Sequence, residues 1–171
     1  MTKWKPEFSP HALYFITTST HLHYKIFKDN VNKQIILDLF DCYRRHKFLK
    51  LYSFVIMPTH IHFLSEFSNQ VPLADFMRNI KSLSADRIHR YHQTAKQGLI
   101  INKIWEDGYV AKEIYTFSFL EQKIDYIHQN PCRFPWKISN YPEEYPWSSA
   151  CFYLTGFPCI IPIDDIREIL V

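Results

Sequence analysis

The chain has 171 residues, 47% of them hydrophobic and 17% aromatic, a composition that fits one packed domain and excludes a disordered segment. Only three glycines occur, none in a Gly-rich run, which excludes phosphate-cradling loops of the Walker or Rossmann type. A net charge of +3 admits nucleic acid as a partner without demanding it.

Cys42, Cys132, Cys151 and Cys159 form no C-x-x-C pair, so neither a zinc knuckle nor a dithiol redox motif is present. Neither an apolar export signal nor a run of about 18 apolar residues occurs, and a cytoplasmic location is expected. The opening Met1-Thr2-Lys3-Trp4-Lys5-Pro6 mixes cations with an indole, in a terminal position where chains commonly fray.

Ala12 to Thr20 is rich in β-branched and aromatic residues and predicts a first strand. Asp29-Asn30 is a capping signal, and Val31, Ile35, Ile36, Leu39, Phe40 and Tyr43 follow at helical spacing. This helix ends in Arg44-Arg45-His46-Lys47. Two readings of the cationic end are open: it complements the helix C-terminus, or it grips a phosphate backbone.

Lys50 to Met57 alternates Leu51, Ser53, Val55 and Met57 against Tyr52, Phe54 and Ile56. Both faces are largely apolar, which predicts a strand in the centre of its sheet. Pro58-Thr59 makes a short break, and His60 to Phe67 returns as the antiparallel hairpin partner. Leu73, Phe76, Met77, Ile80, Leu83, Ile88 and Tyr91 mark a long second helix, whose Arg78, Lys81, Arg87 and Arg90 are scattered like a solvated face. Thr94 to Lys103 reads as a loop around Gly98.

Ile104 to Tyr115 reads as one or two strands, with Asp107-Gly108 a tight turn. Ser118 is the expected cap of a third helix, with Glu121 at the capping-box position. That helix runs through Asn130 and stops at Pro131. An aromatic, irregular tail from Asn140 to Ser149 follows, then a short helix around Asp164 to Leu170. The order is β-α-β-β-α-β-α, an α+β class with helices packed on an antiparallel sheet. One domain spans 1–171, with an irregular C-terminal extension from about residue 132.

The stretch Val55 to Leu64 carries the chemistry. Successive strand residues point to opposite faces, so His60 and His62 share one face while Ile61 and Phe63 can enter the core. Two imidazoles side by side can begin a metal site; an exposed pair can equally be solvated. On the third helix Tyr126 and Asn130 are four apart and project from one face. Asn130 can supply a third ligand and Tyr126 a nucleophile, with Gln129 the ligand if the helix is rotated. Alternatively Tyr126 packs with its hydroxyl wet and Asn130 caps the helix.

His60-Ile61-His62 after Met57-Pro58, Trp105 with its β run, Tyr126-Ile127-x-x-Asn130-Pro131 and Tyr145-Pro146-Trp147-Ser148-Ser149 occur in that order. This series resembles the single-tyrosine HUH transposases of small insertion sequences, and is most similar to the REP-associated tyrosine transposases, over residues 11–153. Thr59 stands where many members carry Asn. The resemblance implies a ferredoxin- or RRM-like HUH fold and metal-dependent nicking and strand transfer of single-stranded DNA at hairpin-flanked sites. It implies Mg²⁺ or Mn²⁺ at His60, His62 and Asn130, polarising the scissile phosphate. Tyr126 then attacks to give a 5′-phosphotyrosine and a free 3′-hydroxyl.

Candidate DNA contacts are Lys3, Trp4, Arg44, Arg45 and Lys47. The expected partner is single-stranded DNA with a hairpin, from a REP-like or insertion-sequence end, met in the nucleoid by a monomer rather than a homodimer. A histidine-triad hydrolase is disfavoured because Leu64 stands where another histidine is needed. The competing class is a domesticated HUH-fold module that holds hairpin DNA or RNA without cutting it.

Overall fold

Alternation along the strand His60–Phe67 sends Ile61, Phe63 and Phe67 into one apolar cluster and Leu64 into a second on the opposite face. The computed structural model describes residues 8–95 and 102–169. In chain order the elements are β1 (Leu13–Ser19), α1 (Asn30–Arg45), β2 (Leu49–Ile56), β3 (His60–Phe67), α2 (Leu73–Thr94), β4 (Val110–Glu113), α3 (Phe117–Gln129) and α4 (Ala150–Thr155). Through α3 this is the expected β-α-β-β-α-β-α order. The four strands pair antiparallel in the order β2-β3-β1-β4, so the histidine strand is internal.

Helices α1 and α2 cover one face of the sheet, where Ile36, Leu37 and Phe40 meet Phe63, Phe76 and Met77. Helix α3 and the C-terminal segment cover part of the other, with Leu120, Ile127 and Tyr145 against Phe15, Val55 and Leu64. Asp29 caps α1 by accepting a hydrogen bond from the Val31 amide at 2.8 Å. The cap of α3 is Thr116, which accepts from the Phe119 amide at 3.2 Å, and not Ser118. Both hydroxyls are competent caps; Thr116 holds the extended backbone that a cap needs, while Ser118 already lies within the helix.

Two expectations about β2 are corrected. It is an edge strand, although it is buried along nearly its whole length. The C-terminal segment takes the place of a further strand. Ile56 donates its amide to the Trp147 carbonyl (2.9 Å), Ser149 to Phe54 (3.0 Å) and Asp164 to Leu51 (2.8 Å). Unpaired edge groups are thereby satisfied. The strict alternation also fails, because a bulge between Leu51 and Ser53 makes Tyr52 an extra residue. Leu51, Phe54 and Ile56 therefore share the helical core, while Tyr52 and Val55 belong to the other cluster.

From Ile104 to Tyr115 only Val110–Glu113 is a strand. Trp105 instead makes an isolated bridge to Thr20 and buries its ring, donating Nε1–H to Ser84 Oγ at 2.9 Å. Gly108, at φ +71°, turns the chain before β4. At the C-terminus Ile166–Ile169 forms a 3₁₀ turn.

The bulge serves the α3 interface. Ser53 Oγ lies 3.1 Å from His128 Nε2 and 2.9 Å from Ser149 Oγ, joining β2, α3 and the C-terminal segment in one buried triangle. Burial lowers the His128 pKa from 6.5 to about 4, partly opposed by Asp125. Between those values the unfolded chain binds the extra proton, so this stabilisation is complete above about pH 6.5 and is lost as pH falls toward 4. Urea unfolding should show stability declining over that window, His128 contributing on the order of 2–3 kcal/mol. His128→Asn should be less stable at pH 7 and show a shallower acid dependence; an unchanged pH slope would contradict this account.

Candidate active site

Strand β3 lies between β1 and β2, and its pairing brings Thr17 opposite His62 and Ser19 opposite His60. The two imidazoles stand side by side, ring centroids 4.7 Å apart. His62 is 4% exposed and packs in a stack against Phe15, 5.6 Å between centroids. Its Nδ1 meets Thr17 Oγ1 at 2.8 Å. A proton on Nδ1, donated to that hydroxyl, leaves the lone pair on Nε2. That nitrogen is buried and has no hydrogen-bond partner among the described residues.

Helix α3 supplies the opposing wall. Leu120 and Ile127, seven apart, sink into the sheet and set the helix rotation. The residue before Ile127 is thereby turned to the rim: Tyr126 is 36% exposed, its ring 5.0 Å from that of His62 and edge-on to Phe15 at 5.9 Å. One turn on, the chain is still helical at Asn130, and its Oδ1 lies 3.4 Å from His60 Nε2. Thr59 Oγ1 meets the other nitrogen of His60 at 3.0 Å, and the Trp136 ring lies 5.5 Å from the imidazole. A hydroxyl can donate or accept, so Thr59 supports either tautomer of His60.

Burial lowers the pKa of both histidines. That of His62 falls to about 3, pushed further by His60 and Lys123; for His60, the Asn130 contact opposes burial. Both are neutral at pH 7, the state in which imidazole binds a metal. Among the described residues no group of three or more His, Cys, Asp or Glu could hold an ion, so oxygen ligands must complete any site. The unpartnered His62 nitrogen, the paired His60 and the amide oxygen of Asn130 fit a small divalent cation that keeps other positions for water or phosphate.

His60, His62, Tyr126 and Asn130 therefore meet in one place. Asn130, not Gln129, faces His60. Arg44, Arg45 and Lys47 lie elsewhere. They close α1, on the opposite face of the sheet, next to Leu49, which pairs with Phe67 at the far end of β3 from His60. Arg44 is engaged with Asp164 (2.9 Å) and Arg45 with Asp41 (2.9 Å), while Lys47 ends the helix at φ +59°. Lys3 and Trp4 lie outside the described residues.

Phe15, Thr17, Lys123 and Trp136 belong to the site without having been singled out. Lys123, one turn before Tyr126, places Nζ 5.5 Å from that ring and 4.9 Å from Phe15. Its spacing on α3 was legible; the places of Phe15 and Thr17 required knowing that β1 pairs with β3.

The sequence matches the family described as IS200-like transposase over residues 10–130, a span that holds both histidines, Tyr126 and Asn130. No curated protein matches it. Among solved structures, a REP-associated tyrosine transposase bound to a REP hairpin is similar at TM-score 0.69 and 15% identity, covering 96% of this chain and 93% of that one. A candidate transposase from Deinococcus radiodurans R1 is similar at TM-score 0.51 and 20% identity, covering 72% of this chain and 93% of its own. At such identities the likeness is one of fold, and the first extends past residue 130 into the segment that closes β2. No helix among the described residues is long and apolar enough to cross a membrane. With the family match spanning most of the chain, and the paired histidines and tyrosine helix inside it, the protein belongs to the IS200-like transposase family.

Proposed function

We propose that this protein nicks and rejoins single-stranded DNA at hairpin-flanked sites through a covalent tyrosine intermediate, as an HUH-class strand transferase. The observation that carries the reading is the approach of Tyr126 to His62, 5.0 Å between rings, in a pocket where His60 and Asn130 also converge. The structural neighbour that holds a REP hairpin supports hairpin DNA as the partner.

His60, His62 and Asn130 would hold Mg²⁺ or Mn²⁺, which when bound supplies Lewis-acid polarisation of the scissile phosphate. Phe15, by stacking, and Thr17, by its contact with Nδ1, fix the His62 ring and so set the direction of its unpartnered Nε2. Tyr126, on the rim, is open to a strand arriving from solvent. Its phenolic oxygen forms the new bond to phosphorus while the bond to the 3′ oxygen breaks, leaving a 5′-phosphotyrosine and a 3′-hydroxyl. Attack by another 3′-hydroxyl reverses the step and joins strands. A phenol, with pKa of about 10, needs its proton removed for this.

Tyr126 reaches His62 of its own chain, 5.0 Å between rings, which supports a site working in cis, and the protein is read as a monomer. Arg44, Arg45 and Lys47 remain candidates for backbone contacts only on a path that wraps to the far side of the sheet.

Three outcomes test this reading. Tyr126→Phe keeps the ring and should cost under about 1.5 kcal/mol in stability. It should bind hairpin DNA yet form no covalent adduct on a denaturing gel, while Tyr109→Phe and Tyr115→Phe retain cleavage. A Tyr126→Phe protein that cuts at the wild-type rate would refute the nucleophile. His60→Ala or His62→Ala should abolish cleavage with little loss of hairpin affinity, and EDTA should stop the wild type; full cutting in EDTA contradicts the metal role. Light scattering at micromolar concentration should give the mass of one chain.

A further inference from the structure

Beside the histidines, the loop after β1 is pinned by its apolar centre. Ile26 and Phe27 are buried, Phe27 packs 5.3 Å from the Trp105 ring, and its amide donates to the Pro58 carbonyl at 3.0 Å. This anchors the loop to the turn that precedes His60. The flanking residues, Lys25 and Lys28, are thereby held outward and exposed. Neither ammonium has an ion-pair or hydrogen-bond partner among the described residues, and the adjacent Asp29 carboxylate is occupied in capping α1.

Both lysines stand on the border between two hollows. One, of about 430 Å³, is walled by Pro58, Pro135, Trp136 and Ile138, and so shares Trp136 with the surroundings of His60, whose ring lies 5.5 Å from that indole. The other, of about 460 Å³, lies beyond the lysines and is lined by Tyr24, Ile26, Asp29, Asn32 and His92. Asn32 gives its amide hydrogens to the Ile26 carbonyl and to His92 Nε2, which fixes the amide's orientation. Its Oδ1 is left buried without a partner among the described residues.

Unpartnered cations between two cavities, with an aromatic side chain at the catalytic end, suit a ligand with a repeating negative charge and flat groups. We propose that the two hollows form one track for the single strand flanking the cleaved phosphate, with Lys25 and Lys28 on its backbone and Trp136 under a base. This rests on the strand-nicking reading of the histidine site, and extends it by naming which surface carries the DNA away from that site. An unpaired strand is required because a base held in a duplex stack has no free face for the indole.

The test is fluorescence anisotropy in EDTA with a short labelled single strand, and with a blunt hairpin lacking any single-stranded flank, over a range of salt. Lys25→Gln/Lys28→Gln should weaken single-strand binding and lower the log–log salt slope by about 1.4, at about 0.7 per lost phosphate contact. Trp136→Leu should weaken it roughly tenfold with an unchanged slope. The double lysine variant should match the wild type on the blunt hairpin and in melting temperature, and Trp136→Leu should match it on the blunt hairpin. Wild-type affinity and slope in the double variant overturns the track, as does an equal loss on the blunt hairpin, which would place the lysines on duplex. Covalent adduct formation by the wild type with Mn²⁺ is scored separately. Single-strand binding that depends on the lysines without any adduct keeps the track and removes the nicking chemistry, whereas an adduct with lysine-independent binding does the reverse.

Discussion

Everything at this site depends on the antiparallel pairing of β1 with β3. That register puts Thr17 opposite His62 and leaves Phe15 against the same imidazole. A one-residue slip would turn both threonine and phenylalanine to the helical core and carry Tyr14 and Ile16 out of it. Apolar burial of Ile16, Ile61 and Phe63 beneath α1 and α2 makes that slip costly. The stability of one face thus secures the geometry of the other.

Helix α3 is attached to that face by apolar contact and by a polar triangle. Leu120 and Ile127 set its rotation, while His128 between Ser53 and Ser149 sets its height on β2. The triangle exists only because a bulge at Tyr52 turns Ser53 to the α3 side. It also recruits the C-terminal segment, whose Ser149 amide completes the edge of β2. A tail that looks irregular is therefore structural: it seals the sheet and braces the tyrosine helix.

Among the described residues no carboxylate bonds to His60 or His62. Desolvation keeps both imidazoles neutral, and the cations nearby are Lys123 by Tyr126 and Lys25 with Lys28 beyond Trp136.

Much of this was determined by the local sequence. The period of two in His60–Phe67 and of four between Tyr126 and Asn130 placed each pair on one face, and the element order followed from apolar spacing, caps and prolines. These are properties of neighbouring residues, and neighbouring residues suffice to read them. Tertiary structure alone decided the rest. Burial of β2 along nearly its whole length came from the distant segment Trp147–Asp164 closing its edge, which hydropathy cannot distinguish from a central position. Arg44 became the partner of Asp164, 120 positions away, and Phe15 and Thr17 joined the histidines through a pairing 45 positions apart. Such contacts are set by which surfaces must be covered once the helices have packed, and no local periodicity carries that information.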